Sequence, residues 1–188
     1  AIALYRSSRQ ADALRALEEL RAPFAEFDFE TPADWSVLLA AILTPFVRWH
    51  LRTAPLFVIT APRRGSGKTL LARSVALIAT GRSPWTMSQA KTEEEERKRW
   101  FSLLLAGASI INIDNLEAPL GGATLCTLLT EDRLSDRVLG ASQVQSVDTT
   151  QLVIMATGNN VELDGDITRR VVVCGIDPGV EFPEDRTF

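Results

Sequence analysis

One stretch decides the fold of this chain: residues 56–70, LFVITAPRRGSGKTL. The apolar run LFVIT predicts a buried strand, and the pattern LLARSVALIA after the glycines is typical of a helix. A strand, a glycine-rich turn ending in Gly-Lys-Thr and a helix form the layout of a P-loop. In a P-loop, backbone N–H groups and the helix N-terminus face a phosphate. We therefore predict that this turn binds a nucleoside triphosphate.

The residues of the turn divide into a phosphate cradle and a metal ligand. Lys68 is expected to reach the β- and γ-phosphates, and the Thr69 hydroxyl to bind Mg²⁺. The pattern G-x-x-x-x-G-K-[ST] departs at one position, since Pro62 stands where its first glycine is expected. Proline is itself a turn-former, so we expect the bend to be kept. The predicted nucleotide-binding residues are Arg64, Gly65, Ser66, Gly67, Lys68, Thr69 and Leu70.

Composition limits the classes of function that need to be considered. A length of 188 residues with 46% hydrophobic and 23% charged residues is typical of one globular domain. The net charge of −4 argues against a broad basic surface, although a local basic loop stays compatible with it. Cys126 and Cys174 lack metal-ligand spacing, and His50 is the single histidine. We expect a reduced, cytoplasmic protein with no membrane partner, because no stretch of the sequence is long and apolar enough to cross a bilayer.

The sequence also predicts how the chain is divided. We expect residues 1–52 to form a helical segment packed on the core, residues 53–180 to form the P-loop core, and residues 181–188 to form a tail. In the first segment, residues 8–21 have helical spacing, and Thr31-Pro32-Ala33-Asp34 predicts the start of a second helix that Pro45 stops or kinks. Because the chain begins with Ala1 rather than Met, we expect it to be a piece of a longer protein.

Further apolar runs predict a parallel sheet. Strand signals lie at residues 84–87, 109–114, 152–157 and 171–176, and helix signals lie at residues 91–106 and 123–131. Strands that alternate with helices predict a three-layer α/β fold with a central parallel sheet covered on both faces. We expect the strand at 109–114 to lie beside the strand at 56–60, which would place Asp114 near the Mg²⁺ held by Thr69. Extended pieces at 136–139 and 143–148 predict a hairpin.

Polar residues follow the predicted strands at the edge of the sheet where such folds bind ligands. Lys68, Asp114 and Asn159 each come just after a strand end, so we expect them to converge. Asn159 is a candidate to hold an attacking water or to sense the γ-phosphate, and its alternative role is that of a turn residue. Arg169 and Arg170 precede the last strand, and they form either a surface charge pair or an arginine finger for a neighbouring subunit.

The order of these signals resembles that of AAA+ ATPases and, within them, of superfamily 3 helicases. The segments PRRGSGKTLLA, INIDNLEAPLGG, LSDRVLG and MATGNN…GDITRRVVV look like the helicase part of phage- and mobile-element-type primase-helicases, over roughly residues 33–178. This resemblance implies a hexameric ring that hydrolyses ATP with Mg²⁺ and moves along single-stranded DNA.

The resemblance also implies roles for single residues. By position, Lys68 and Thr69 belong to Walker A, Asp114 to Walker B, Asn159 to sensor 1, and Arg169 or Arg170 to the finger. The hairpin at 136–148 matches one that reaches into the pore of the ring, so Arg137 and Gln143 are candidates for DNA contact. The candidate catalytic residues are Lys68, Asp114, Asn159, Arg169, Arg170 and Glu117.

Two departures from the family pattern keep other functions open. Most AAA+ proteins have Asp-Glu at the end of Walker B, with Glu as the general base, whereas this chain has Asp114-Asn115. Glu117 is the candidate substitute. We also expect the sensor-2 arginine of the family's lid domain to be absent or supplied from elsewhere. One alternative is therefore a nucleotide-binding module that does not hydrolyse ATP and serves assembly or regulation. The other is a small-molecule P-loop kinase, which has no use for an arginine finger.

Overall fold

A parallel sheet forms the centre of the computed structural model, which describes residues 10–137 and 143–179. The strands in the described residues are β1 (Leu56–Ala61), β2 (Trp85–Ser88), β3 (Ile110–Leu116), β4 (Arg133–Arg137), β5 (Val144–Asp148), β6 (Val153–Asn159) and β7 (Val171–Gly175). Five of them pair in parallel in the order β2-β3-β6-β1-β7, while β4 and β5 form a separate antiparallel hairpin. The predicted α/β class with a central parallel sheet is confirmed.

Helices cover both faces of this sheet. They are α1 (Gln10–Arg21), α2 (Pro32–Val47), α3 (Lys68–Thr80), α4 (Glu93–Leu105) and α5 (Ala123–Thr130), and short 3₁₀ helices lie at Ala22–Phe24, Arg48–His50 and Gly165–Arg170. Within the described residues, every helix falls short of the length and apolarity that a membrane crossing requires.

Alternate residues of the strands build two separate layers of core. On one face, Val58, Ile111 and Ile154 pack with Trp100 of α4 and Leu125 of α5, and all five are at most 2% exposed. The side chains of successive strand residues point to opposite faces, so the neighbours of these residues enter the other layer. Burying one such side chain contributes about 1.5–3 kcal/mol relative to leaving it exposed.

The opposite layer joins α2 and α3 to the sheet. Phe57 and Ile59 of β1 pack there with Ile42 of α2 and Leu71 of α3. A capping box starts α2, in which Asp34 Oδ2 accepts hydrogen bonds from the Thr31 backbone N–H at 2.8 Å and from its hydroxyl at 2.6 Å.

Pro45 was predicted to stop or kink the second helix, and a stop at the proline itself is wrong. The helix runs through Pro45 and ends at Val47. Proline removes one backbone donor and collides with the preceding turn, but at this position only two helical residues follow it. The helix therefore ends within one turn of the proline rather than at it.

The predicted neighbour of β1 is also wrong. Instead of β3, the strands beside β1 are β6 and β7, and β6 lies between β1 and β3. Ala156 of β6 pairs with Val58 on one side and with Ile113 on the other. The order of strands along the chain does not fix their order across a sheet. Here the long connection that carries α5 and the hairpin returns the chain so that β6 enters between β3 and β1.

The strand that carries Asp114 runs further than predicted. It continues to Leu116, with a register shift against β6 between Ile113 and Leu116. Asn115 lies in this irregular stretch with φ +55°, a left-handed conformation that asparagine tolerates better than most residues. Asp114 is therefore not the last residue of β3.

The predicted hairpin is present, with different bounds. Its first strand begins at Arg133 rather than at Asp136, and Arg137 pairs with Val144 at the end next to the connecting residues. The predicted turn at Gly140-Ala141-Ser142 lies outside the described residues, as do residues 1–9 and the predicted tail. The stretch before β7 forms the 3₁₀ helix Gly165–Arg170.

Candidate functional site

The glycine-rich turn joins β1 to α3 at the carboxyl edge of the sheet. Gly65 and Gly67 have φ of +72° and +88°, which favours glycine at both positions. Gly67 also lies against the ring of Phe27, since a Cβ at this position would be 2.6 Å from Phe27 Cε1. The buried Ser66 hydroxyl donates to the Arg63 carbonyl oxygen at 2.7 Å. The turn therefore has a defined shape before any ligand is considered.

A strand-like segment positions Phe27 at this turn. The Glu30 backbone N–H donates to the Gly175 carbonyl oxygen, and the Asp177 N–H donates to the Asp28 carbonyl oxygen. Asp34 Oδ1 accepts from the Gly175 N–H at 2.7 Å. These bonds tie the residues before α2 to the carboxyl end of β7, next to the turn.

Lys68 is the first residue of α3 and its side chain bends back over the turn. The ammonium donates to the Arg63 carbonyl oxygen at 2.8 Å and to Asn159 Oδ1 at 2.7 Å. Burial lowers the pKa of the Lys68 ammonium, and the nearby Asp114 carboxylate acts in the opposite direction. The structure thus brings Lys68, Asn159 and Asp114 together, as expected from their positions after the strands.

The Asp114 carboxylate lies beside the Thr69 hydroxyl. Thr69 Oγ1 donates to Asp114 Oδ1 at 3.1 Å, although β6 separates the strands that lead to the two residues. A carboxylate oxygen and a hydroxyl oxygen are hard ligands, and Mg²⁺ is usually held by one or two protein oxygens together with substrate phosphates. Among the described residues no group of three His, Cys, Asp or Glu side chains is placed to hold a metal by itself. The pair of oxygens fits a magnesium ion that is shared with a phosphate.

Two further residues at this site were missed from the sequence. Thr157 Oγ1 donates to Asp114 Oδ1 at 2.6 Å, and Asn112 Nδ2 lies 3.4 Å from Thr157 Oγ1. Each stands two residues before a predicted site residue on the same strand, Thr157 before Asn159 and Asn112 before Asp114. Since residues two apart share a face of a strand, a polar residue at that spacing in an apolar run is the signal that could have found them.

Glu117 and Asn159 line one cavity. This cavity has a volume of about 170 Å³ and is also lined by Leu116, Ala118, Pro119, Asn160, Val161 and Glu162. Asn115 Nδ2 donates to Glu117 Oε1 at 3.1 Å, so the residue in place of the usual glutamate holds the next carboxylate along the chain. The loop after Glu117 is fixed by Gln89, whose amide bonds the backbone of Ala118 at 3.2 Å.

Arg169 and Arg170 lie apart from this cluster. Both pair with Asp166 in the same 3₁₀ helix: Arg170 Nη1 donates to Asp166 Oδ2 at 2.8 Å, and Arg169 pairs with Asp166 Oδ1. The Arg169 side chain is 77% exposed and that of Arg170 is 26% exposed. Among the described residues, neither arginine contacts Lys68 or Asp114 of its own chain.

The remaining predicted residues are exposed. Arg64 lies in the turn and Leu70 in the first turn of α3, both at the surface. Arg137 and Gln143 flank residues 138–142, which connect the two strands of the hairpin, and both are exposed. Strand β4 of the hairpin is bonded to α4, because Arg97 donates to Asp136 Oδ2 at 3.0 Å and to the Ser135 carbonyl oxygen at 2.7 Å.

A larger cavity, of about 680 Å³, lies at the other end of the sheet. It is lined by residues that start β2 and β3, among them Trp85 and Ile110, and by Thr80 at the end of α3. None of the predicted site residues lines it. The candidate site is therefore identified by its polar cluster and not by the volume of the cavity.

These features define a three-layer α/β domain with a glycine-rich turn, a lysine, an asparagine and a carboxylate at the carboxyl edge of its sheet. Its fold is similar to that of the C-terminal region of NrS-1, with a TM-score of 0.50 and 19% sequence identity, over 84% of this chain and 41% of that chain. JCV helicase is also similar, with a TM-score of 0.48 and 12% identity, over 79% of this chain and 47% of that chain.

The likeness to NrS-1 is one of fold, and the chain spans about two fifths of the length of that region. No protein-family model matches the chain, and no curated protein matches it either.

Proposed function

We propose that this chain is the ATP-binding and ATP-hydrolysing motor domain of a DNA helicase or primase-helicase of the AAA+, superfamily 3-like kind. The observation that carries the proposal is the gathering of Lys68, Thr69, Asp114 and Asn159 around one turn. Lys68 bonds Asn159 at 2.7 Å and Thr69 bonds Asp114 at 3.1 Å, at the carboxyl ends of three parallel strands. Open α/β sheets bind their ligands at this edge.

Binding uses the turn and the start of α3. The backbone N–H groups of residues 64–70 and the Lys68 ammonium donate hydrogen bonds to the phosphates of ATP, whose oxygens compete with Asn159 Oδ1 and the Arg63 carbonyl oxygen for the lysine donors. Thr69 and Asp114 hold Mg²⁺, which neutralises negative charge on the phosphates. Leu70 and Arg64 are exposed beside the turn and complete the nucleotide contacts.

Hydrolysis uses the cavity shared by Asn159 and Glu117. A water molecule attacks the γ-phosphorus, the bond to the oxygen that bridges the β- and γ-phosphorus breaks, and ADP leaves as phosphate forms. Glu117 accepts the water proton, Asn115 keeps its carboxylate in place, and the Asn159 amide orients the water. Lys68 stabilises the charge that moves to the leaving oxygen.

In an assembled ring, a neighbouring subunit supplies further positive charge to the transition state. Arg169 and Arg170 lie away from the site of their own chain, so in a hexameric ring they reach the ATP of a neighbour. In the same ring the β4–β5 hairpin faces single-stranded DNA, with Arg137 and Gln143 as contact residues. A cytoplasmic location agrees with this role.

The second candidate is a nucleotide-binding module that does not hydrolyse ATP. The observation that favours it is Asn115. Its amide cannot act as a general base, and its Nδ2 donates to Glu117 Oε1 at 3.1 Å, which engages that carboxylate. In this function ATP binding serves assembly or regulation, and the loss of ATP binding in Lys68→Ala changes oligomerisation with no turnover to lose.

ATP turnover with and without single-stranded DNA separates these functions. We expect Lys68→Ala to abolish ATP binding and Glu117→Gln to lower turnover roughly 100-fold or more while ATP still binds. Glu162→Gln is the matched control, because Glu162 is an exposed glutamate that lines the same cavity. If the wild-type chain binds ATP but shows no turnover with DNA, the non-hydrolysing module is correct.

A mixing experiment tests the ring. Chains with Lys68→Ala keep their arginines, and chains with both Arg169→Ala and Arg170→Ala keep their phosphate site. If the arginines act on a neighbour, mixing the two inactive proteins restores part of the turnover, since some interfaces combine an intact turn with intact arginines. If mixing restores nothing while each chain still assembles by mass measurement, the arginines have no role between subunits.

A further inference from the structure

Three donors converge on a single oxygen of Asp114. Thr157 Oγ1 lies 2.6 Å from Asp114 Oδ1, Thr69 Oγ1 lies 3.1 Å from it, and Asn112 Nδ2 lies 3.5 Å from it. An ionised carboxylate only accepts hydrogen bonds, so each hydroxyl must give its proton to this oxygen. The bond from Thr157 is the shortest of the three, as expected of a hydroxyl that donates to a charged group.

Two of these donors are side chains buried within the sheet. Asn112 and Thr157 are each 1% exposed, and they lie on the neighbouring strands β3 and β6. Their side chains meet, with Asn112 Nδ2 lying 3.4 Å from Thr157 Oγ1. The remaining atom of the amide, Asn112 Oδ1, is buried and has no hydrogen-bond partner among the described residues.

An unpartnered buried acceptor destabilises a fold, and an apolar residue would avoid that cost. The neighbours of Asn112 along β3 are the isoleucines Ile111 and Ile113, both buried. The amide is oriented by its surroundings, because an oxygen in the place of Nδ2 would face the Asp114 carboxylate. The cost is therefore accepted at a position in β3 from which the amide reaches both Asp114 and Thr157.

We infer that Thr157 and Asn112 are positioning residues that fix the rotation of the Asp114 carboxylate. The inference rests on the proposed function, in which Asp114 and Thr69 hold Mg²⁺. All the hydrogen bonds that Asp114 makes with described residues through its carboxylate end on Oδ1. The side chains of Thr157 and Asn112, called the clamp below, thus hold Oδ1, the oxygen that also accepts from the Thr69 hydroxyl. Partners of this kind, which hold a metal ligand without touching the metal, commonly change metal affinity 10–100-fold when removed.

A magnesium titration of ATP binding tests the clamp without measuring turnover. The binding of a fluorescent ATP analogue is measured in EDTA and at rising Mg²⁺ concentration. We expect Thr157→Val to raise the half-saturating Mg²⁺ concentration about tenfold and to leave affinity in EDTA unchanged. Thr157→Ser keeps the hydroxyl and should restore the wild-type value. Asn112→Val is the second, independent variant and should shift the value in the same direction by roughly threefold.

Thr149 supplies a matched control for loss of a buried hydroxyl. It is also 1% exposed, and its Oγ1 donates to the Glu131 carbonyl oxygen at 2.6 Å, the same length as the Thr157 bond. Thr149→Val should lower the urea midpoint of unfolding as much as Thr157→Val does, with no change in the Mg²⁺ requirement. Equal Mg²⁺ curves for Thr157→Val and wild type, or equal shifts for Thr157→Val and Thr149→Val, overturn the clamp and leave the proposed function standing. If wild type itself binds the analogue no more tightly with Mg²⁺, the proposed metal site fails and the clamp falls with it.

Discussion

Replacing Gly67 with alanine is a test of the local structure on which the candidate site depends. Gly67 precedes Lys68 and has φ +88°, a backbone conformation that residues with a Cβ rarely adopt. A Cβ at this position would lie 2.6 Å from Phe27 Cε1 and 3.4 Å from Cζ, whereas ordinary contacts of a Cβ begin at about 3.4 Å. The substitution therefore changes both the backbone and the packing of the turn.

The expected loss of folding stability is the sum of two costs less one gain. A left-handed backbone costs an alanine about 1–2 kcal/mol. Forcing an extra carbon into a filled space costs about 1–3 kcal/mol more. The smaller freedom of alanine in the unfolded chain returns about 0.4–1 kcal/mol. We expect Gly67→Ala to lower the free energy of unfolding by about 2–4 kcal/mol, which a domain of ordinary stability survives.

Gly81→Ala is the matched control for this substitution. Gly81 ends α3 with φ +70°, and an added Cβ there meets nothing within 4 Å. It should therefore carry the backbone cost alone, about 1 kcal/mol. Urea unfolding followed by circular dichroism measures both variants, and the difference between them isolates the contact with Phe27.

A double-mutant cycle with Phe27→Ala completes the test. Removing the ring should recover the packing part of the Gly67→Ala loss, so the two changes should be coupled by about 1–3 kcal/mol. We also expect Gly67→Ala to weaken ATP binding at least tenfold, and Gly81→Ala to leave it unchanged. If both alanine variants unfold at the same urea concentration and the cycle shows no coupling, the Phe27 ring does not shape the turn and this reasoning is refuted.

Two further predictions concern titrating groups. Burial raises the pKa of Glu96 above its ordinary value of 4.5, even though Trp100 Nε1 donates to its carboxylate. Its contribution to stability is therefore fully present below pH 4.5 and is lost as the pH rises through the folded-state value, so Glu96→Gln should raise the urea midpoint at pH 7 and not at pH 4. Burial also raises the pKa of the Cys174 thiol to about 12. At pH 8 iodoacetamide should label the half-buried Cys126 first and Cys174 only after unfolding, as measured by mass spectrometry.

Local pattern was enough to predict most elements of the fold. The apolar run at 56–60, the glycines and the following helical spacing correspond to β1, the turn and α3. The positions of Lys68, Asp114 and Asn159 near the carboxyl ends of their strands were enough to predict that they converge, although Asp114 and Asn159 lie within β3 and β6 rather than after them. Each of these inferences depends on residues that are close in sequence or on the general rule that parallel strands end at one edge.

The features that were missed depend on contacts between distant parts of the chain. The place of β6 between β1 and β3 follows from how the chain returns to the sheet, which no run of residues encodes. Thr157 and Asn112 belong to apolar runs and gain their roles only because their strands are neighbours. The left-handed Asn115 belongs to the irregular end of β3, which local spacing cannot distinguish from a regular strand.

The loops at the candidate site are joined in a way that bears on the proposed ring. The Leu120 backbone N–H donates to the Glu162 carbonyl oxygen at 2.8 Å, and the Leu120 carbonyl oxygen accepts from the Asp164 N–H at 2.9 Å. The loop that carries Glu117 is therefore bonded to the stretch between Asn159 and the 3₁₀ helix with the two arginines. Because Asn159 contacts Lys68 at one end of this stretch, a change at the proposed phosphate site would act on the backbone that leads to Arg169 and Arg170. In a ring, that connection would link the nucleotide of one subunit to the arginines offered to the next.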